Sequence, residues 1–402
     1  MPRPRTEHND KGTRIATLRA LAVPPGPCAN SLLTVLEGVL DGRDAPLVPV
    51  PAGNLRESQF LTSTLRVGEY IDDEIALVVS TSGTTGIPKG AMLTAAALIA
   101  GATATHDRLG GPGSWLLALP AHHIAGIQVL VRSLQAGTVP AEIDVSAGFD
   151  PTELPRAVAE LGSGRRYAAV VANQLAKALD HPAAAGALAE LDAVLLGGGP
   201  APPPVLSAAA AAGITIVRTY GSSETAGGCV YDGVPLDGVR VRIDDPAADG
   251  YGRIVIGGST LANGYRNPPE PDPFAEPGWF ATDDIGAIDA AGRLSVLGRS
   301  DDAISTGGLT VLPGPVETAL SSHPAVAECA VFGVDDDRLG QRVVAAVVVN
   351  VGDVEPGLAE LRELVIRALD HTAAPRELHI IAELPRRGIG KVDRRALREL
   401  YG

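Results

Sequence analysis

Four times between Ile75 and Val217 a short apolar run gives way to an alanine-rich segment. "IALVVS" (Ile75–Ser80) comes before "LTAAALIAGATAT" (Leu93–Thr105), "WLLALP" before "IAGIQVLVRSL", "YAAVVA" before "NQLAKALD" and "DAVLLGGG" before "PPPVLSAAAAAG"; "ITIVRTY" closes the series. A strand that is apolar at successive positions has both faces buried, and strands separated by helices connect by crossovers. The pattern predicts an α/β fold, with a mainly parallel sheet covered on both faces by helices.

From about Val239 the texture changes. "VRVRID", "GRIVIGG" and "GRLSVLGR" are short strands separated by Gly, Asp and Pro, which predicts a small antiparallel β subdomain of hairpins. "RNPPEPDPFAEPGW" (Arg266–Trp279) reads as a Pro-rich loop within it. After "GRSDDAIS" the chain starts again with its own plan. A helix at "PGPVETALSSH", strands at "ECAVFGV" and "QRVVAAVVVN", a helix at "LAELRELVIRALD" and a strand at "ELHIIAEL" predict a small α+β domain. The expected division is a large N-terminal domain, 1–300, and a C-terminal domain, 301–402, within what 402 residues allow.

The bulk composition excludes several classes. A formal charge of −14 argues against a nucleic-acid surface, which needs clustered Lys and Arg. Cys28, Cys229 and Cys329 are odd in number and far apart, so neither a disulfide framework nor a zinc site is expected. "MPRPRTEHND" carries no apolar signal segment, and the longest uncharged stretch, Ala193–Val217, contains Gly197–Gly199 and four prolines. No membrane span is expected, and a cytoplasmic location fits. The oligomeric state is left open, a homodimer among the options.

The chemistry starts at "STSGTTGIPKG" (Ser80–Gly90). It follows a buried strand directly. Thr81, Ser82, Thr84 and Thr85 bring hydroxyls, Gly83, Gly86 and Gly90 let backbone N–H groups approach a ligand, and Lys89 brings a full charge. These are the parts of a phosphate cradle. The spacing is neither that of the Walker loop, because Pro88 stands where its second glycine belongs, nor GxGxxG.

Four more motifs follow in order: "YGSSET" (Tyr220–Thr225), "GWFATDDIG" (Gly278–Gly286), "GRSDDAISTGG" (Gly298–Gly308) and "PRRGIGKVDRRAL" (Pro385–Leu397). Together with the glycine-rich loop they resemble the signatures of the acyl-adenylate-forming superfamily, which holds acyl-CoA synthetases, luciferases and adenylation domains. Two positions depart from the pattern: Ser223 replaces a Thr, and Asp283 replaces a Gly before the family's Asp, here Asp284.

The resemblance implies ATP as substrate, Mg²⁺ as cofactor and coenzyme A as co-substrate. It implies that Thr81, Ser82, Gly83, Thr84, Thr85, Gly86 and Lys89 cradle the phosphates. Gly198, Gly199 and Pro200 would form one wall of the adenine site and Tyr220 the other, within Tyr220, Gly221, Ser222 and Ser223. Asp284 would accept the ribose hydroxyls with Arg299 beside it, and Glu224 would bind Mg²⁺ with Thr84 or Thr85. Lys391 would be the catalytic cation on a mobile C-terminal domain that turns about Asp301. His123, in "PAHHIAG", would stand between the acyl pocket and the coenzyme A tunnel, which Gly308 would line. A solvated Asp283 is expected. Each residue also has a plain structural reading: a capping histidine, turn carboxylates, a strand-to-helix glycine turn.

The short segment before the phosphate loop, with "ALPAHHIAGIQVLVRSL" and "VVANQLAKAL", resembles the o-succinylbenzoate–CoA ligases of menaquinone synthesis. That implies an aromatic dicarboxylate substrate. The donors considered for its second carboxylate are Asn173, Gln174, Ser222, Thr225 and, more weakly, Arg132. Another aryl- or short-chain acid–CoA ligase, an adenylation unit loading a carrier protein, and a silent acyl-binding protein remain as alternatives.

Overall fold

The apolar run Ala193–Gly197 lies at the middle of the largest sheet because nothing along it can meet water. The structure is a computed structural model that describes residues 7–8, 14–81, 87–248, 250–350, 352–387 and 391–402. Among the described residues the sheet has seven strands. Their order is Val234–Pro235, Gly227–Tyr231, Ile216–Ser222, Ala193–Gly197, Arg166–Val171, Ser114–Leu117 and Ala141–Glu142. The five from Ile216–Ser222 to Ala141–Glu142 are parallel, and Gly227–Tyr231 and Val234–Pro235 return antiparallel at one edge.

Alternate residues of one strand enter different cores. Trp115 and Leu117 pack with Tyr167, Ala169 and Leu195 on one face, and Leu116 with Ala168, Val170 and Leu196 on the other. Covering both faces is what the unbroken apolar runs require, and each fully buried Leu or Val contributes about 1.5–3 kcal/mol. Helices Ile124–Ala136, Ala172–Leu179 and Pro203–Ala211 follow their strands as the pattern predicts.

One expectation needs correction. Ile75–Val79 does not belong to this sheet but to a second one, ordered Arg19–Val23, Leu47–Pro51, Ile75–Val79 and Ala91–Thr94. Its last pair is antiparallel, so the glycine-rich turn joins two neighbouring strands. The helix expected from Leu93 starts later, at Ala95, where the Thr94 hydroxyl accepts from Ala97 N at 3.0 Å. An apolar run reports that a strand is buried, not which sheet buries it.

The hairpin subdomain forms as expected, from Val239–Asp244, Gly252–Gly258, Trp279–Ile288 and Leu294–Arg299, all antiparallel. After the 3₁₀ turn Ser300–Asp302 the chain builds a further sheet, with Gly340–Val349 at its centre and Val326–Asp336 paired along it at one edge. Helices Pro313–Leu320 and Leu358–Ala368 cover one face, and Arg394–Tyr401 packs on the other through Leu397. Arg394 ties these layers together, its Nη2 2.6 Å from Glu317 Oε1 and its Nη1 3.3 Å from Asp302 Oδ2. No helix among the described residues is long and apolar enough to cross a membrane.

Candidate active site

A cleft opens where the second sheet, the edge of the large sheet and the hairpin subdomain meet. Thr81 and Lys89 line it from either side of the glycine-rich turn, Tyr220 and Glu224 from the edge of the large sheet, and Asp284 and Arg299 from the hairpins. Ser82, Gly83, Thr84, Thr85 and Gly86 lie outside the described residues. The Thr81 hydroxyl is buried and has no partner among the described residues, although it faces a polar cleft. A buried hydroxyl without a partner is costly.

Gly90 shows why the turn ends as it does. Its φ is +72°, and a Cβ there would lie 2.6 Å from Leu65 Cδ2 and 2.9 Å from Val78 Cγ1, both in the core. Gly90→Ala is expected to destabilise the fold by about 1–3 kcal/mol through overpacking and left-handed strain. A shifted urea midpoint at constant slope checks this, and an unchanged midpoint would contradict the packing described.

Strand Ile216–Ser222 carries Tyr220 to the cleft, where its hydroxyl donates to Asp284 Oδ2 at 2.7 Å. Burial, with the Asp284 carboxylate against it, pushes the Tyr220 phenol up, so it stays a donor. Gly221 is required next because the backbone crowds it: a Cβ would lie 2.1 Å from Gly227 O. The strand then turns into the 3₁₀ segment Ser223–Thr225. The Thr225 hydroxyl closes that turn, accepting from Ser222 N at 2.9 Å and donating to Gly227 O at 2.7 Å. Gln128 Nε2 braces it at Ala226 O, 2.7 Å away. Glu224, on the turn, is buried, and its Oε1 accepts from Tyr265 OH at 2.7 Å.

Asp284 and Arg299 face each other in register on adjacent strands, with Arg299 Nη1 3.7 Å from Asp284 Oδ1. The guanidinium reaches further. It forks onto Asp301, Nε to Oδ1 and Nη2 to Oδ2 at 2.7 Å each, and Nη2 lies 3.3 Å from Asp283 Oδ2. The hydrogen bonds to Asp301 lead in holding Arg299 above its ordinary range, with all three carboxylates adding to them. Asp283 is exposed, as a solvated carboxylate would be, and is also ion-paired: one arginine is shared among three carboxylates, which leaves the group with a net negative charge.

Other residues singled out in the sequence lie elsewhere. His123 is the N-cap residue of helix Ile124–Ala136, its ring 4.3 Å from that of His122. Burial lowers the His122 pKa. Gly198, Gly199 and Pro200 form an exposed turn after strand Ala193–Gly197, where Gly198 takes φ +85°. Gly307 and Gly308 take φ +59° and +79° between strands Ile304–Thr306 and Leu309–Val311, as a two-residue hairpin turn requires, so both glycines have a local structural reason. Lys391 lies in a short ribbon, Lys391–Val392 paired with Arg386–Arg387, and its side chain lies outside the described residues.

Among the donors considered for a second carboxylate, Gln174 is consumed by the backbone: its Nε2 donates to Ala118 O at 2.7 Å and its Oε1 accepts from Val171 N at 3.0 Å. Arg132 is buried in the core, 4.9 Å from the Trp115 ring and 3.5 Å from Tyr231 OH. Asn173 and Ser222 remain half-buried, and Ser222 lines the cleft. Tyr265 is a polar cleft residue that sequence reading passed over. It stands just before a Pro-rich loop, and its one signal is the Gly-Tyr pair at the end of an otherwise loop-like stretch.

Comparison with known proteins identifies the family. Residues 45–266 match the AMP-binding enzyme family, and residues 315–391 match the AMP-binding enzyme C-terminal domain. A probable 2-succinylbenzoate–CoA ligase of Mycobacterium tuberculosis is 68% identical over 382 residues, covering 94% of this chain and 97% of that one. A 2-succinylbenzoate–CoA ligase of Bacillus cereus is 33% identical, covering 83% of this chain and 71% of the relative. The fold is also that of the o-succinylbenzoate CoA synthetase from Bacillus subtilis solved in complex with its acyl-adenylate intermediate. That match has a TM-score of 0.74 at 24% identity and covers 95% of this chain and 88% of that one. The chain belongs to the AMP-binding enzyme family and carries that family's C-terminal domain.

Proposed function

We propose that this chain is an o-succinylbenzoate–CoA ligase that joins o-succinylbenzoate to coenzyme A at the expense of ATP, releasing AMP and pyrophosphate, in menaquinone biosynthesis. The observation that carries this reading is the 68% identity to the mycobacterial ligase along nearly the whole of both chains. The cleft supports it with the parts an adenylating site needs.

A carboxylate is a poor acyl donor because its leaving group would be oxide. In the first half-reaction a carboxylate oxygen of the acid attacks the α-phosphorus of ATP, the bond from that phosphorus to the bridging oxygen breaks, and pyrophosphate leaves. In the second the thiol sulfur attacks the acyl carbon and AMP leaves. Asp284, oriented by Tyr220 OH, accepts from the ribose hydroxyls, since a carboxylate has two oxygens for two donors. Lys89 and Thr81 meet the phosphates. Lys391 brings its charge to the attacking carboxylate and α-phosphate. Asp301 is the hinge about which the domain from residue 301 onward turns, and His123 and Gly308 border the path of the thiol.

The donor set fits Mg²⁺. A buried carboxylate, Glu224, shares the cleft with the orphan hydroxyl of Thr81, and hard oxygens of this kind suit that ion. Glu224 would hold it, with Thr84 or Thr85 from the turn, and the bound ion would offset charge on the triphosphate.

The test is pyrophosphate release by the purified protein across a panel of acids with ATP, Mg²⁺ and coenzyme A. o-Succinylbenzoate should exceed benzoate, succinate and fatty acids in kcat/KM by at least tenfold. A different preferred acid would move the chain to another acid–CoA ligase activity, and no release with any acid would remove the enzymatic reading.

A further inference from the structure

Residues 262–267 act as a clip between the two halves of the phosphate site. Ala262 N donates to Glu224 O at 2.8 Å, Asn263 N to Met92 O at 2.8 Å and Met92 N to Gly264 O at 3.0 Å. Arg266 N donates to Gly90 O at 2.8 Å and Asn267 N to Lys89 O at 2.9 Å. The segment is thus bonded along its length to the backbone that leaves the glycine-rich turn, and at one end to the backbone of Glu224. Tyr265 sits inside this clip. Its ring is buried edge-on against Phe274, with centroids 5.2 Å apart, and Phe274 stacks on Phe280 at 4.8 Å. Two rings behind it leave Tyr265 little freedom.

The functional groups around that ring are unusual in combination. The hydroxyl donates to Glu224 Oε1 at 2.7 Å, and Lys89 Nζ lies 5.3 Å from the ring centroid. Among the described residues Lys89 makes no ion pair, although the buried carboxylate of Glu224 lines the same cleft. A lysine resting on Glu224 would neutralise the carboxylate and compete with any cation for it. A phenol does neither. It satisfies one carboxylate oxygen, leaves the other to a ligand, and offers the ammonium a ring face instead.

We propose that Tyr265 is a positioning residue for the cation site: its hydroxyl orients Glu224, and its ring keeps Lys89 beside the carboxylate without pairing to it. The proposal rests on Glu224 being the Mg²⁺ ligand. Carboxylates that bind metals are commonly oriented by a further hydrogen bond, and losing that bond lowers metal affinity by about 10- to 100-fold.

The experiment is equilibrium binding of ATP, by calorimetry in the absence of acid and coenzyme A, titrated with Mg²⁺, on wild type, Tyr265→Phe and Glu224→Gln. Tyr265→Phe should raise the Mg²⁺ concentration that half-restores ATP affinity by about 10-fold or more. ATP binding without Mg²⁺ should change by less than about 2-fold, because the ring beneath Lys89 is retained. A Tyr265→Phe protein with wild-type Mg²⁺ dependence, or with equal losses with and without Mg²⁺, overturns the proposal. Glu224→Gln separates it from the reading on which it rests. If that variant keeps the wild-type Mg²⁺ response, the ligand assignment of Glu224 falls. If it loses the response while Tyr265→Phe does not, only the role of Tyr265 falls. Tyr265→Met, which keeps side-chain bulk and removes the hydroxyl, reads the same Mg²⁺ dependence should the phenylalanine variant not fold, and a wild-type Mg²⁺ dependence in it contradicts the proposal.

Discussion

Lys391→Ala should lower the rate of adenylate formation by on the order of 10²-fold or more and leave the conversion of supplied acyl-adenylate and coenzyme A to thioester close to wild type. The reason is electrostatic. The first half-reaction brings a carboxylate onto a phosphate, and two unit charges of like sign about 4 Å apart repel by roughly 4 kcal/mol at an effective dielectric near 20. A cation at that point is needed only while the two anions approach. Once the mixed anhydride has formed, the thiol attacks a carbonyl carbon with a good leaving group, and the lysine has no comparable role. Single-turnover assays of each half-reaction check this. Equal losses in both would contradict the assignment of Lys391 to adenylation alone and the turn of the C-terminal domain between the two steps.

Asp284→Ala should lower kcat/KM for ATP by on the order of 10²-fold and, unlike the lysine variant, should impair both half-reactions. ATP and acyl-adenylate both carry the ribose that Asp284 is assigned to hold. The substitution also strips Tyr220 of the acceptor 2.7 Å from its hydroxyl and removes one of the three carboxylates around Arg299. Leaving a buried donor without an acceptor is itself destabilising by about 1–3 kcal/mol. The melting temperature should therefore fall alongside nucleotide affinity. If the acyl-adenylate is used by Asp284→Ala at the wild-type rate, the ribose assignment is wrong.

The layered architecture was legible in the sequence because its cause is local. Apolar runs such as Tyr167–Val170 bury both faces wherever they sit, and glycine-punctuated strands such as Gly252–Gly258 become hairpins. Sheet membership was not legible. Ile75–Val79 reads like any other central strand, and only the antiparallel return of Ala91–Thr94 reveals a second sheet. The same limit applies in the cleft. Tyr220, Glu224, Asp284 and Arg299 could be named because they sit in ordered motifs, and the structure brings them to one cavity with Thr81 and Lys89. Tyr265 stands outside those motifs, and its value comes from a long-range contact with Glu224, 41 positions away. Asp283 is exposed as its sequence position suggests, but its pairing with Arg299 could not be read, because it depends on strand register.

The central claim is that this cleft turns a carboxylic acid into a mixed anhydride with AMP. The most direct measurement is mass spectrometry of the nucleotide products formed from a mixed pool of carboxylic acids with ATP and Mg²⁺, before coenzyme A is added. The account predicts o-succinylbenzoyl-AMP as the main acyl-adenylate, consumed to o-succinylbenzoyl-CoA and AMP when the thiol is supplied. Formation of ADP and an acyl phosphate, or thioester formation with no adenylate in a protein that binds ATP, would contradict it.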